Sequence, residues 1–220
     1  MTARGIVAVV PMKPLSQSKT RLAGVLSQTE RAELSFAMFS RVVAAAHRAL
    51  GEVWVVGGDD AVRQGAECAG ATWHEDPAEN LNDSLTFALQ NACDEGLPAL
   101  YLPADLPFIT AADIYKIVQA SGGGETLALS PAQQDGGTNA MVIPQCLSFP
   151  ALLGKDSFAK HKRQAASLGI QYTVCLSDGL SLDLDTPEDL ALCDRLRPGF
   201  LSKMMRAKAV STPTSDEKDL

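Results

Sequence analysis

Short apolar runs alternate with helical stretches along this chain. Gly5–Val10 (GIVAVV), Glu52–Gly57 (EVWVVG) and Ala99–Pro103 (ALYLP) are continuous and rich in β-formers. That is the pattern of strands buried on both faces. Ala71–Trp73 predicts a weaker strand. Between these runs the apolar positions take helical spacing. Thr29–Leu50 carries Leu34, Phe36, Met38, Phe39, Val42, Val43 and Ala46, and Asp60–Ala69 predicts a short helix. Asn82–Glu95 sets Leu85, Ala88, Leu89 and Ala92 on one face, with Asn82 or Asp83 as its cap. Thr110–Ala120 predicts the helix after the third buried strand, and Gly122–Gly124 a turn. Thr126–Ser130 and Asn139–Ile143 then read as strands, Asp156–Leu168 as a helix and Ile170–Leu176 as extended. Leu180–Asp185 predicts a short strand, and Pro187–Leu196 a helix with Pro187 at a favoured first-turn position. Strands separated by helices predict a three-layer α/β fold on a mostly parallel sheet, mixed after Gly122 where the strands crowd. The pattern gives one domain over residues 1–197, followed by a polar C-terminal tail over 198–220. That tail holds Lys203, Arg206 and Lys208 before STPTSDEKDL and reads as mobile.

Composition narrows the classes. The chain has 220 residues, 46% hydrophobic and 20% charged, which suits one globular unit. Nineteen Lys plus Arg against 26 Asp plus Glu give a net charge of -7. A large nucleic-acid footprint, which needs clustered positive charge, is therefore not expected. An anionic small molecule remains compatible, because a few local cations suffice to hold one. The five cysteines form no CxxC pair, so neither a disulfide scaffold nor a structural zinc site is expected. Buried free thiols and a reducing compartment are the expectation. No apolar run reaches the roughly 18 residues of a membrane span. Pro11 and Lys13 interrupt the first apolar stretch, which reads as a core strand and not a secretory signal. A cytoplasmic protein without membrane partners follows, with a homodimer as the default oligomer.

Ligands of open α/β sheets bind beyond the carboxyl ends of the strands, and four such positions are polar here. After the first strand, Lys13, Lys19 and Arg21 fall in nine residues. Such cations neutralise phosphate oxygens, although a charge run is more often a solvated loop. After the third buried strand, Asp105 stands in Pro103-Ala104-Asp105-Leu106-Pro107. A carboxylate in that apolar setting needs a partner, and Mg²⁺, which takes one or two carboxylates plus substrate phosphates, is a natural one. In Leu182-Asp183-Leu184-Asp185 the period of two puts both aspartates on one face, where a cation would relieve their repulsion. Asp185 or Thr186 also suits the cap of the next helix. The fourth position, Asp135-Gly136-Gly137-Thr138-Asn139, reads as a hairpin turn or a close approach to a ligand. Nearby, Ser157, Lys160 and His161 at a helix start suit an anion, with His161 more often a surface histidine than a base. P-loop, GxGxxG and GxSxG motifs are absent.

The ordered set SKTRL, Leu81-Asn82-Asp83, PADLPF, DGGTNAM, GKDSFAKH and LDLDTPEDL, from about Gly5 to about Leu196, resembles the CofC/FbiD family. These are guanylyltransferases of deazaflavin coenzyme F420 biosynthesis on the MobA-like, nucleotide-diphospho-sugar transferase fold. The resemblance implies transfer of GMP from GTP to 2-phospho-L-lactate, phosphoenolpyruvate or 3-phospho-D-glycerate, with release of pyrophosphate. It implies that Lys13, Lys19 and Arg21 approach phosphates and that Asp105, Asp183 and Asp185 bind Mg²⁺. It implies that Thr138, Gly154 and Ser157 hold the acceptor, that Asn82 lies near the nucleotide base, and that the next enzyme of the pathway is a partner. Pro14 beside Lys13 departs from the expected loop. A molybdenum-cofactor nucleotidyltransferase is the nearest rival, but its glycine-rich first loop is missing, since no glycine falls between Gly5 and Gly24. A non-catalytic GTP-binding relative is the other, against which the intact aspartates and basic loop argue.

Overall fold

The computed structural model describes residues 5–76 and 80–209. Seven strands, β1 (Val7–Met12), β2 (Val53–Gly57), β3 (Thr72–His74), β4 (Ala99–Tyr101), β5 (Leu127–Pro131), β6 (Thr138–Ile143) and β7 (Tyr172–Val174), make one sheet in the order β3-β2-β1-β4-β6-β5-β7. β6 is antiparallel to both its neighbours and every other pairing is parallel. The helices are α1 (Gln28–Leu50), α2 (Asp60–Cys68), α3 (Leu81–Asp94), α4 (Ala111–Ala120), α5 (Ser157–Ser167), α6 (Asp178–Ser181), α7 (Pro187–Leu196) and α8 (Phe200–Ala209). This is the three-layer, mostly parallel mixed sheet that the alternation predicts.

The buried runs behave as their composition dictates. Ala8, Val10, Val53 and Val55 face α1, α2 and α4, while Val7, Val9, Trp54 and Val56 face α3. Helix starts follow side-chain chemistry. Ser27 and Glu30 form a reciprocal capping box at α1, and Thr186 with Asp189 does the same at α7. The cap of α3 is Asn80, earlier than the Asn82 or Asp83 expected, because Asn80 Oδ1 accepts the Asp83 N–H.

A third apolar cluster positions the site. It joins Leu22 and Leu26 of the first loop to Leu34 and Met38 of α1, Leu182, Leu184, Cys193 of α7, and Phe200 and Met204 of α8. Three expectations change here. The strand expected over 180–185 does not form: Leu180 and Ser181 belong to α6, and beyond it the chain is extended, its one backbone pairing among the described residues being Leu184 N–H to the Asp105 carbonyl, 3.1 Å. The period of two survives because both leucines are anchored in the third cluster. The tail expected from 198 begins instead with α8, since Phe200 and Met204 are buried beside α1; residues 210–220 lie outside the described residues. The thiols are free, but Cys68 and Cys146 are exposed and Cys93 half-buried, so only Cys175 and Cys193 are core residues.

Candidate active site

The strand order turns between β1 and β4, and the loops leaving their carboxyl ends meet there, as expected for a ligand site in an open sheet. The loop after β1 forms two short 3-10 turns, Leu15–Gln17 and Thr20–Leu22. It is pinned at both ends. Leu15 N–H donates to Asp59 Oδ2 at the start of α2, 2.8 Å, and Leu22 is fully buried. Exposing one buried leucine costs roughly 1.5–3 kcal/mol, enough to hold the polar residues between the pins. Lys19 takes the left-handed conformation, φ 51° and ψ 40°, which is uncommon for a side-chain-bearing residue and costs of order 1–3 kcal/mol.

That conformation accompanies an inward ammonium. Lys19 Nζ lies 2.6 Å from Asp105 Oδ2 and 2.7 Å from Asp185 Oδ1, with its side chain only 8% exposed. Burial would lower its pKa, but the two carboxylates outweigh that and raise it, so Lys19 is a fixed cation. Arg21 is 73% exposed and stands 3.8 Å from Asp185 Oδ2. Burial pushes Asp185 up, yet Lys19, Arg21 and Lys13 together hold it below the usual carboxylate range. Thr186, not Asp185, caps α7, so the Asp185 carboxylate is left to face the cations.

Asp183 differs. It accepts from Asn139 Nδ2 at 3.1 Å, yet burial, then the Asp105 charge, pushes its pKa up to about 6. Asp105 Oδ1 is buried and accepts no hydrogen bond among the described residues. Burial and these same two carboxylates raise the Tyr101 phenol as well. One ammonium thus spans Asp105 and Asp185, while Asp183 and one oxygen of Asp105 stay short of positive charge.

The second group sits at the hairpin and the start of α5. Thr138 Oγ1 lies 2.9 Å from His161 Nδ1 and 3.3 Å from Ser157 Oγ. Gly154 has φ 107°, a glycine conformation, and its carbonyl accepts Ser157 N–H at 3.0 Å. His161 is fully buried, not a surface residue as expected, and burial, then Lys160, lowers its pKa to about 4. Asn139, next to Thr138, links this group to Asp183. Asn82 faces the same segment: its Oδ1 accepts Leu153 N–H at 2.8 Å and its Nδ2 approaches Leu153 O at 3.4 Å. Its amide is therefore engaged with the chain leading into Gly154, while its neighbours Asn80 and Leu81 line a cavity.

Two adjoining cavities open on the cationic loop. One, of about 380 Å³, is lined by Lys13, Lys19, Arg21, Tyr101, Asp105 and Asp185. The other, of about 640 Å³, lies over the ends of β1 and β2 and is lined by Lys13, Gly57, Trp73, Asp76 and Leu81. Glycine is required at position 57 in the wall of the second cavity, since a Cβ there would stand 2.8 Å from the Met12 carbonyl oxygen. The site thus brings together Lys13, Lys19, Arg21, Asp105 and Asp185, joins Asn139 to Asp183 and His161 to Thr138, and adds Tyr101. Adjacency to Thr138 in the sequence is the one signal that pointed to Asn139.

The described residues contain no group of three acidic, histidine or cysteine side chains assembled to hold a metal. The donor chemistry still suits Mg²⁺, which needs only one or two carboxylates when phosphates supply the rest. The unpaired Asp105 Oδ1 and the under-neutralised Asp183 are the carboxylates that fit. Asp185, the third aspartate expected to bind Mg²⁺, has Lys19 at one oxygen and Arg21 at the other.

Comparison with known proteins accords with this geometry. The family described as Guanylyl transferase CofC like matches residues 6–193. The phosphoenolpyruvate guanylyltransferase of Rubrobacter xylanophilus is 38% identical over 188 residues, 84% of this chain and 92% of that protein. The 3-phospho-D-glycerate guanylyltransferase of Phenylobacterium zucineum is 34% identical over 179 residues, 78% of this chain and 82% of that protein. Among solved structures, a Desulfovibrio desulfuricans G20 protein assigned as a nucleotide-diphospho-sugar transferase superposes with a TM-score of 0.75 at 16% identity, covering 96% of each chain. A Methanothermobacter nucleotidyl transferase gives 0.63 at 16% identity, covering 90% of this chain and 99% of that one. These two likenesses establish the fold.

Proposed function

The chain belongs to the CofC-like guanylyl transferase family, and from that premise we propose that it moves GMP from GTP to a small phosphorylated three-carbon acid, releasing pyrophosphate. Phosphoenolpyruvate and 3-phospho-D-glycerate are the proposed acceptors, with 2-phospho-L-lactate as the third to test. The observation that carries the reading is Lys19. It is a buried cation held by Asp105 and Asp185 at the switch point of the sheet, with Lys13 and Arg21 beside it. The step is an in-line displacement: an acceptor phosphate oxygen bonds to the α-phosphorus of GTP, and the bond to the pyrophosphate oxygen breaks. A phosphate dianion is already a nucleophile near neutral pH, so no general base is needed, in keeping with a neutral, buried His161. Positioning and charge neutralisation then carry catalysis. Lys13, Lys19 and Arg21 take up charge on the triphosphate and the leaving pyrophosphate. Asp105 and Asp183 would hold Mg²⁺, which when bound supplies positive charge to the phosphates. Asp185 keeps Lys19 aimed. The cavity over β1 and β2 takes the nucleoside, and Thr138, Gly154 and Ser157 take the acceptor. The place proposed for the reaction is coenzyme F420 biosynthesis in the cytoplasm, its product passing to the next enzyme of that pathway.

The test is a panel. Purified protein with Mg²⁺ is given GTP, ATP or CTP and each acceptor in turn, and pyrophosphate is measured. Release confined to GTP and dependent on a phosphorylated acid is the expected result. Release from CTP alone, or tight GTP binding without turnover for every acceptor, would overturn the reading.

A further inference from the structure

His161 stands at the centre of a chain of hydrogen bonds, and the proposed chemistry gives the ring itself no role. Its Nε2 receives the Leu152 N–H at 3.0 Å. A backbone N–H can only donate, so Nε2 carries no proton, and a neutral imidazole must then be protonated on Nδ1. Nδ1 lies 2.9 Å from Thr138 Oγ1, and its N–H therefore donates to that hydroxyl oxygen. Thr138 Oγ1 is also 3.3 Å from Ser157 Oγ. Each hydroxyl has one proton to give. If Ser157 donates to Thr138, the Thr138 proton is left over; if Thr138 donates to Ser157, the Ser157 proton is. Either way one hydroxyl proton is left for a further acceptor.

The surrounding structure fixes this polarity. His161 is fully buried on α5, Thr138 is nearly buried at the start of β6, and Ser157 is the first residue of α5. The pKa of His161 lies at about 4, so the ring stays neutral at physiological pH. Asn82 holds Leu153, the residue after the donor to His161, so the backbone N–H cannot swing away freely.

We propose that His161 is a positioning residue: by its fixed tautomer it leaves one hydroxyl proton of the Thr138–Ser157 pair to donate to an oxyanion of the acceptor. This rests on the reading of Thr138 and Ser157 as acceptor-binding residues. It explains how a phosphate or carboxylate oxygen finds a hydroxyl proton to accept at this pair.

Two measurements test it. In the wild-type protein, long-range ¹H–¹⁵N correlation of the His161 ring should show the neutral, Nδ1-protonated tautomer at pH 7.5. An Nε2-protonated or doubly protonated ring overturns the proposal. That spectrum is readable whether or not the enzyme turns over, so a failed assay and a wrong tautomer are told apart. The second measurement is kinetic. His161→Ala and His161→Gln remove the donor to Thr138 and should raise the acceptor KM about tenfold or more, the size of one lost hydrogen bond to a charged group. The KM for GTP should stay within about threefold, less than the loss of one neutral hydrogen bond would give. His161→Asn can place an amide N–H near the Nδ1 position and should recover most of the acceptor affinity. A rise in both KM values together, or no rescue by Asn in a folded variant, contradicts a positioning role.

Discussion

Lys19 puts one positive charge between two carboxylates, and that ratio sets what its removal does. Lys19→Met removes the ammonium between Asp105 and Asp185 and leaves only the more distant Arg21 and Lys13 to offset them. The two aspartate side chains are 24% and 43% exposed, so solvent softens the penalty. The loss should be about 2 kcal/mol, below the 3–5 of a fully buried broken pair. Turnover should fall at least a hundredfold; urea unfolding and steady-state kinetics check both. Asp183 works in the opposite sense. Its folded pKa, about 6, is above its ordinary value of 3.8. The folded protein therefore binds the proton more tightly than the unfolded chain. The charge costs stability at pH 7, and that cost disappears as pH falls from about 6 toward 4. Asp183→Asn keeps the acceptor for Asn139 and should stabilise the metal-free protein by about 2 kcal/mol at pH 7.5, with little gain at pH 4.5. The same variant should lose most activity. A destabilised Asp183→Asn would show that the charge is already paid for by neighbours.

At the scale of elements, the site hangs on apolar pins more than on regular structure. Leu22 on the first loop and Leu182 and Leu184 between α6 and α7 share one cluster with Phe200 and Met204 of α8. The cationic loop and the aspartate segment are therefore held against each other from beneath, and α8 forms part of the floor. Phe200→Ala should cost about 3 kcal/mol and should weaken GTP binding although Phe200 lies outside both cavities; thermal unfolding and nucleotide titration measure the two effects. Unchanged GTP affinity in the folded variant would detach α8 from the site. The sequence made some of this legible. Strand ends locate Lys13, Lys19 and Asp105, and period two locates Asp183 and Asp185, because these signals are local. α8 is not legible because Phe200 and Leu201, with Met204 and Met205 four residues on, stand in a basic stretch and do not announce a helix until α1 supplies the surface that buries them. Leu182–Asp185 has strand periodicity but no strand to pair with, and only packing decides that.

Across the whole molecule, net charge and local charge part company. The chain carries -7 overall, yet the switch point gathers Lys13, Lys19 and Arg21 over one cavity. The partnerships that finish the site join residues far apart in the chain: Asn139 with Asp183, Asn82 with Leu153, Lys19 with Asp185. No spacing rule reaches across such separations, which is why the residues are legible in the sequence and their pairings are not. Everything at the site turns on one new bond, between GMP and the acceptor's phosphate. The most direct measurement is ³¹P NMR of a reaction holding GTP, Mg²⁺ and phosphoenolpyruvate or 3-phospho-D-glycerate. The account requires a new phosphoanhydride joining GMP to the acceptor, formed in equal amount with pyrophosphate and absent with Asp105→Asn. Formation of GDP and inorganic phosphate, or a spectrum unchanged with every acceptor, would contradict it.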